Sequence, residues 1–182
     1  MRYYEDSKRQ LSSFSADLKA PRFRLILWFV ICRPLFEVEI LPSWVKSSLL
    51  KMNGARLGKN ILIRRRVNIH FPWNLEIGDD SWVGEEVWFI NHEKVKIGSN
   101  VCISQRSIIC SGGHDYRSAT LEYAHKPIEI KDGAWVCLDA KVLPGVTIGE
   151  CSVVSAGEIV RKSVPDYSML IAGEIRPIDP PK

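Results

Sequence analysis

The chain has 182 residues, 46% of them hydrophobic and 25% charged, which suits one domain with a real core and is too few for two large ones. That composition excludes disorder, collagen and small disulfide scaffolds. The net charge of +4 is too small to call for nucleic acid, although it leaves room for a local anion site.

Met1 to Ala20 is polar and mixed in charge, without the apolar core and cleavage site of a secretory leader. The most apolar run, Leu25 to Cys32, is eight residues long and stops at Arg33-Pro34, short of the ~20 residues that span a bilayer. The five cysteines form no C-x-x-C pair and sit mostly in apolar runs, where thiols act as small hydrophobes. A reducing, cytoplasmic location is expected. Apolar residues over 25–30 and 44–52 predict one or two helices, broken at Pro34 and Pro42 and ending near Asn53-Gly54. Residues 1–56 would then form a helical cap. With Phe23, Trp28 and Phe29 the segment carries more apolar surface than a cap requires, flanked by Arg22, Arg24 and Arg33. It either packs wholly on the domain behind it or on a neighbouring subunit, or makes peripheral contact with a membrane.

From Leu57 to about Pro165 an apolar residue, aliphatic at every position but Phe89, returns every six positions: Leu57, Ile63, Ile69 and Leu75, then Ile77, Val83, Phe89 and Val95, and so on to Val160. The first two units each hold three hexads plus two extra residues, so one turn of the chain has three sides. Four places after many of these positions stands a small or β-branched residue such as Ser81, Ser107, Ala134 or Ser152, and Gly often follows directly (Gly58, Gly78, Gly84, Gly98, Gly149). Large side chains would fill the middle of a narrow prism and small ones its corners, with glycine allowing the backbone angles of a tight corner. A 3.6-residue period is absent and no helix separates the strands, which sets aside bundles and βαβ units. Residues 57–182 are therefore expected as short parallel strands stacked in about five coils. One interruption, residues 111–127, should project as a loop, and function belongs there. Ile175 to Pro181 is too rich in proline for a helix and is expected along the last coil.

The hexads, the run Phe71-Pro72-Trp73-Asn74-Leu75-Glu76-Ile77-Gly78-Asp79, the Gly112-Gly113-His114-Asp115-Tyr116 loop and Leu143-Pro144-Gly145-Val146-Thr147-Ile148-Gly149 closely resemble hexapeptide-repeat O-acetyltransferases of the colanic acid biosynthesis type. The resemblance implies a left-handed parallel β-helix, an exception to the usual right-handed crossover. It also implies a homotrimer that transfers acetyl from acetyl-CoA to a sugar hydroxyl for an exopolysaccharide. Another small hydroxyl or amino acceptor, and a non-catalytic trimeric scaffold, are the alternatives.

Such a transfer needs a base, donors for the oxyanion and a slot for both reactants. His114, behind two glycines, matches the catalytic histidine of the family, and a neutral imidazole suits this work. His70, His92 and His125 are read as surface or packing residues. Asp115 is either the orienter of His114 or a turn former. The oxyanion donor is expected as a backbone N–H near Trp135, and Trp135 itself either flanks the pantetheine arm or simply packs. Ala156 and Lys162 match cofactor-binding positions of the last coil, against a solvated surface as the other reading. Glu158 and Glu174, where the family pattern differs, add negative charge beside the coenzyme path. Glu86, Trp88 and Asn91 are the candidate acceptor contacts. Arg64-Arg65-Arg66 reads as a solvated face. A zinc carbonic anhydrase of this architecture needs three histidines around an ion, two of them five apart in its family, and none here is so spaced, so no metal is expected. The stretch Gly54 to Lys59 is one residue short of a P-loop and lacks its Ser or Thr.

Overall fold

The computed structural model describes residues 21–36, 40–119 and 121–180. The chain winds into a left-handed parallel β-helix with three flat faces. The first face stacks Arg56–Leu57, Leu75–Ile77, Val95–Ile97, Ile128–Ile130 and Thr147–Ile148; the third stacks Asn68–Ile69, Trp88–Ile90, Ile108–Cys110, Lys141–Val142 and Ile159–Val160. The second face stacks Leu62–Ile63, Trp82–Val83, Cys102–Ile103, Trp135–Val136 and Val153–Val154, and gains Ser168–Ile171 with an antiparallel partner, Glu174–Pro177. Five full coils are thus followed by a partial sixth, beyond the point where the hexad pattern fades. The proline-rich stretch, as far as Pro177, forms the outer strand of that hairpin, at an edge where a missing N–H does no harm.

The repeat positions behave as expected. Every one from Ile63 to Val160 is buried, and so are Ser81, Ser107, Ala134 and Ser152 four places on. The small residues do more than fit. Ser81 Oγ donates to the Gly98 carbonyl at 2.9 Å and accepts the Val101 N–H at 3.1 Å, joining one coil to the next. Ser152 does the same between Pro165 and Ser168.

The glycines require a correction. The left-handed corner conformations fall on Asn60, Arg66, Asp80, Glu86, Asn100, Arg106 and Asp139 instead, whereas Gly58, Gly78, Gly84, Gly98 and Gly149 do not have positive φ. Those glycines are required because the next coil lies against them. A Cβ on Gly78 would stand 2.6 Å from Gly98, and one on Gly149 would overlap the backbone of Pro165 and Asp166. Gly149→Ala is expected to destabilise the fold by about 3 kcal/mol, since backbone cannot yield as a flexible side chain does; the shift of the urea midpoint measures it.

The open end of the prism is closed by helices, in keeping with a solenoid's need for a cap. Helix α1 (Arg22–Ile26) continues through a π-helical stretch, Leu27–Cys32, into α2 (Arg33–Phe36), and α3 spans Ser43–Met52. Pro34 does not break this helix. The Arg33 N–H reaches back to the Trp28 carbonyl, five residues away, and the wider turn makes room for a proline ring that a tight α-turn would exclude. Trp28, Cys32, Phe36 and Leu50 all pack into the core below, and Trp28 Nε1 donates to the His70 carbonyl at 3.0 Å. Helix α3 ends where expected, at Asn53 and a left-handed Gly54.

Candidate active site

The loop leaves the third face after Cys110 and returns to the first at Ile128. Its two arms pair through Ala124 N–H to the Gly113 carbonyl and Asp115 N–H to the Glu122 carbonyl, both at 2.8 Å. The two glycines are needed for close approach: a Cβ on Gly112 would meet the His92 ring at 2.9 Å, and one on Gly113 the Ala124 carbonyl at 3.1 Å.

His114 is exposed, and its Nδ1 lies 2.6 Å from the Leu121 carbonyl. A carbonyl oxygen only accepts, so Nδ1 carries the proton and the neutral ring keeps its lone pair on Nε2. Leu121 reaches this position with φ of +49°, a conformation rare for a leucine and maintained by its surroundings. Asp115 takes no part in orienting the ring. Its carboxylate accepts the Arg117 N–H and Nε, both at 3.0 Å, and the guanidinium holds its pKa below the usual carboxylate range. The turn-forming reading of Asp115 is the one realised.

The sequence reads His70, His92 and His125 as surface or packing residues, whereas the structure gathers all four histidines on one corner. His114 packs on Tyr123 (centroids 5.0 Å), Tyr123 on His125 (5.0 Å), His125 on His92 (4.8 Å) and His92 on His70 (5.7 Å). His70 continues the row to Trp88, whose Nε1 donates to His70 Nε2 at 3.2 Å. The signal was present: His70 and His92 both follow third-face strands, and one coil of about twenty residues separates their positions in the winding.

An indole N–H only donates, so His70 Nε2 must be unprotonated. Burial, with the Arg33 charge adding to it, depresses the His70 pKa in the same sense. The unfolded chain, near the ordinary ~6.5, then binds this proton first, and the neutral group's contribution is complete above that pH and lost as pH falls below it. Urea unfolding across this range is expected to show a stability loss that is smaller in His70→Asn.

Apart from Trp88, the remaining candidates are dispersed. Trp88 is exposed on the outside of the third face. Glu86 sits on a corner, 3.3 Å from Arg66. Arg64 and Arg65 share Glu85 in the same way, so the arginine run is an ion-paired surface. Asn91 lies below the surface. It is fully buried, its Oδ1 accepting the Phe71 N–H at 3.0 Å and its Nδ2 donating to the Phe71 carbonyl at 2.6 Å. Asn74 of the Phe71-Pro72-Trp73-Asn74 run braces the same corner by donating to the Asn91 and His92 carbonyls.

Trp135 lies 47% exposed on the second face, with Nε1 on Ser104 Oγ at 2.9 Å. The N–H groups expected to hold an oxyanion there are committed to the sheet, Trp135 to Ser152 and Cys137 to Val154. Ala156 and Lys162 are exposed at the far end. Glu174 is 2.9 Å from Arg176, and Glu158 accepts the Gly173 N–H, so both charges are locally engaged. Burial raises the pKa of the Cys102, Cys110 and Cys137 thiols, which makes them poor nucleophiles. Among the described residues, no three His, Cys, Asp or Glu side chains are grouped to hold a metal ion.

No family model matches the chain. It is 39% identical over 141 residues to the colanic acid biosynthesis acetyltransferase WcaF of Escherichia coli, covering 76% of this chain and 77% of that protein. The galactoside O-acetyltransferase of the same organism is 32% identical over 130 residues, covering 68% of this chain and 64% of its own length. Among solved structures, a galactoside acetyltransferase in complex with coenzyme A superposes with a TM-score of 0.70 at 26% identity, over 80% of this chain and 74% of that one. The hexapeptide-repeat acetyltransferase VCA0836 of Vibrio cholerae, complexed with acetyl coenzyme A, gives 0.71 at 20% identity over 94% and 88% of the two chains. Coil geometry, the histidine-bearing loop and these likenesses agree that the chain belongs to the hexapeptide-repeat acetyltransferases of the colanic acid biosynthesis type.

Proposed function

We propose that the enzyme moves acetyl from acetyl-CoA to a sugar hydroxyl during exopolysaccharide synthesis in the cytoplasm, where that thioester is made. The observation that carries this reading is the His114 tautomer: Nδ1–H on the Leu121 carbonyl leaves a basic Nε2 on an exposed loop. Nε2 takes the acceptor proton as the hydroxyl oxygen attacks the thioester carbonyl. Collapse of the tetrahedral adduct expels the coenzyme thiolate, and the imidazolium returns the proton to its sulfur. No acyl-enzyme forms.

His114 lies at the corner between third and first faces, while Trp135 lies on the second face. One chain therefore does not bring them together. A homotrimer, with a second face of one subunit opposite the histidine corner of the next, supports the reading of Trp135, Ala156 and Lys162 as a coenzyme track. The row from Tyr123 to Trp88 then offers the acceptor rings to stack on and nitrogens to hydrogen-bond, with Glu86 at its margin. Division into a cap, residues 1–56, and a catalytic β-helix, residues 57–182, belongs to the same proposal. The test is mass spectrometry of acetyl-CoA reactions with sugars and with de-acetylated polysaccharide of the host. Acetylated sugar is expected, and coenzyme release only with amine acceptors would overturn the assignment.

A further inference from the structure

The helix over 22–36 has two apolar sides. Trp28, Cys32 and Phe36, at intervals of four, are at most 1% exposed and seal the first coil. On the opposite side Phe23 is 67%, Ile26 61% and Val30 66% exposed, and Trp44 at the start of α3 is 72% exposed. These side chains cover nothing in the prism, so a cap function does not account for them. The same end of the molecule is basic. Residues 21–56 contain Arg22, Arg24, Arg33, Lys46, Lys51 and Arg56 but only two acids, Glu37 and Glu39, which lie outside the described residues; Lys46 is buried on the Arg64 carbonyl and Arg56 pairs with Glu76, which leaves Arg24, Arg33 and Lys51 to carry the surface charge among the described side chains. No helix among the described residues is long and apolar enough to cross a membrane.

We propose that this helical end docks on an anionic lipid surface, with Phe23, Ile26, Val30 and Trp44 entering the interface and the flanking Arg and Lys side chains meeting lipid phosphates. Charge complementarity selects this occupant over a second copy. Two such ends face to face would oppose like charges, whereas an acidic bilayer attracts each nearby Arg or Lys. The outer apolar side also borders the candidate acceptor row: Phe29 packs on Phe71 at 6.0 Å, and Phe71 on His92 at 5.1 Å. Docking requires no particular acceptor, and its test does not read activity.

The test is flotation of the full chain with vesicles. Co-flotation is expected with phosphatidylcholine containing phosphatidylglycerol at low salt, with loss at high salt and on phosphatidylcholine alone. The triple variant Phe23→Ser, Ile26→Ser, Val30→Ser changes only exposed positions and should reduce binding at least about tenfold. Arg24→Glu with Lys51→Glu should weaken binding without touching the apolar side, and decides the matter if the triple variant folds poorly. Trp28 is unsuitable for this purpose, because its replacement opens the core. Wild-type protein that stays unbound from acidic vesicles at low salt overturns the proposal. So does a triple variant that floats unchanged, or one that instead sediments as a smaller oligomer, which would assign the face to a second copy.

Discussion

His114→Ala is expected to lower kcat by about 100-fold or more while leaving the thermal midpoint nearly unchanged. The size of the effect follows from removing a general base from the step in which the hydroxyl proton leaves. The small effect on stability follows from the exposure of the ring, whose hydrogen bond to the Leu121 carbonyl lies within the loop. Stopped assays at saturating acceptor and acetyl-CoA measure it, and turnover retained in this variant would remove His114 from the mechanism. His114→Asn offers a hydrogen-bonding side chain without a basic ring nitrogen. It should be as slow as the alanine variant, which separates base catalysis from mere positioning.

Asn91→Ala is expected to destabilise the fold by about 2 kcal/mol, because it leaves the Phe71 N–H buried without a partner and strips one of two hydrogen bonds from the Phe71 carbonyl, which keeps the Asn74 N–H at 3.0 Å. An orphaned buried N–H costs about 1–3 kcal/mol. The acceptor KM measured well below the melting temperature should change little. A large rise in KM with unchanged stability would return Asn91 to the acceptor site and contradict its burial. Chemical denaturation and initial rates on the same preparation decide between the two.

Much of the architecture was legible because the repeat is local. A six-residue period needs only the alternation of inward and outward side chains along short strands and a bend after each. Ile63, Val83, Ile103, Val136 and Val154 therefore announced the second face before any coordinate was known, and all are buried there. The interruption after Ile109 breaks that period, which marks the loop, and the match to the family's catalytic histidine picks out His114 within it. The continuous helix through Pro34 was not legible, because proline forbids an α-turn but not a π-turn, and the choice depended on seating Trp28, Cys32 and Phe36 together on the core.

By itself the sequence determined the three-sided coil, its core and the site of the loop, since each depends on spacing along one strand or one turn, and its resemblance to the family supplied the candidate base, His114. Only the tertiary structure decided what happens between coils. Residues about twenty apart become neighbours there, so Asn91 turns inward to hold Phe71, Gly78 and Gly149 yield space to the next backbone, and Asp115 goes to Arg117 instead of His114. The same stacking draws His70, His92, His125 and His114 into one row and sets Trp135 on another face. The hexad states which way a side chain points, but its partner belongs to a different coil, and that pairing exists only once the coils are stacked.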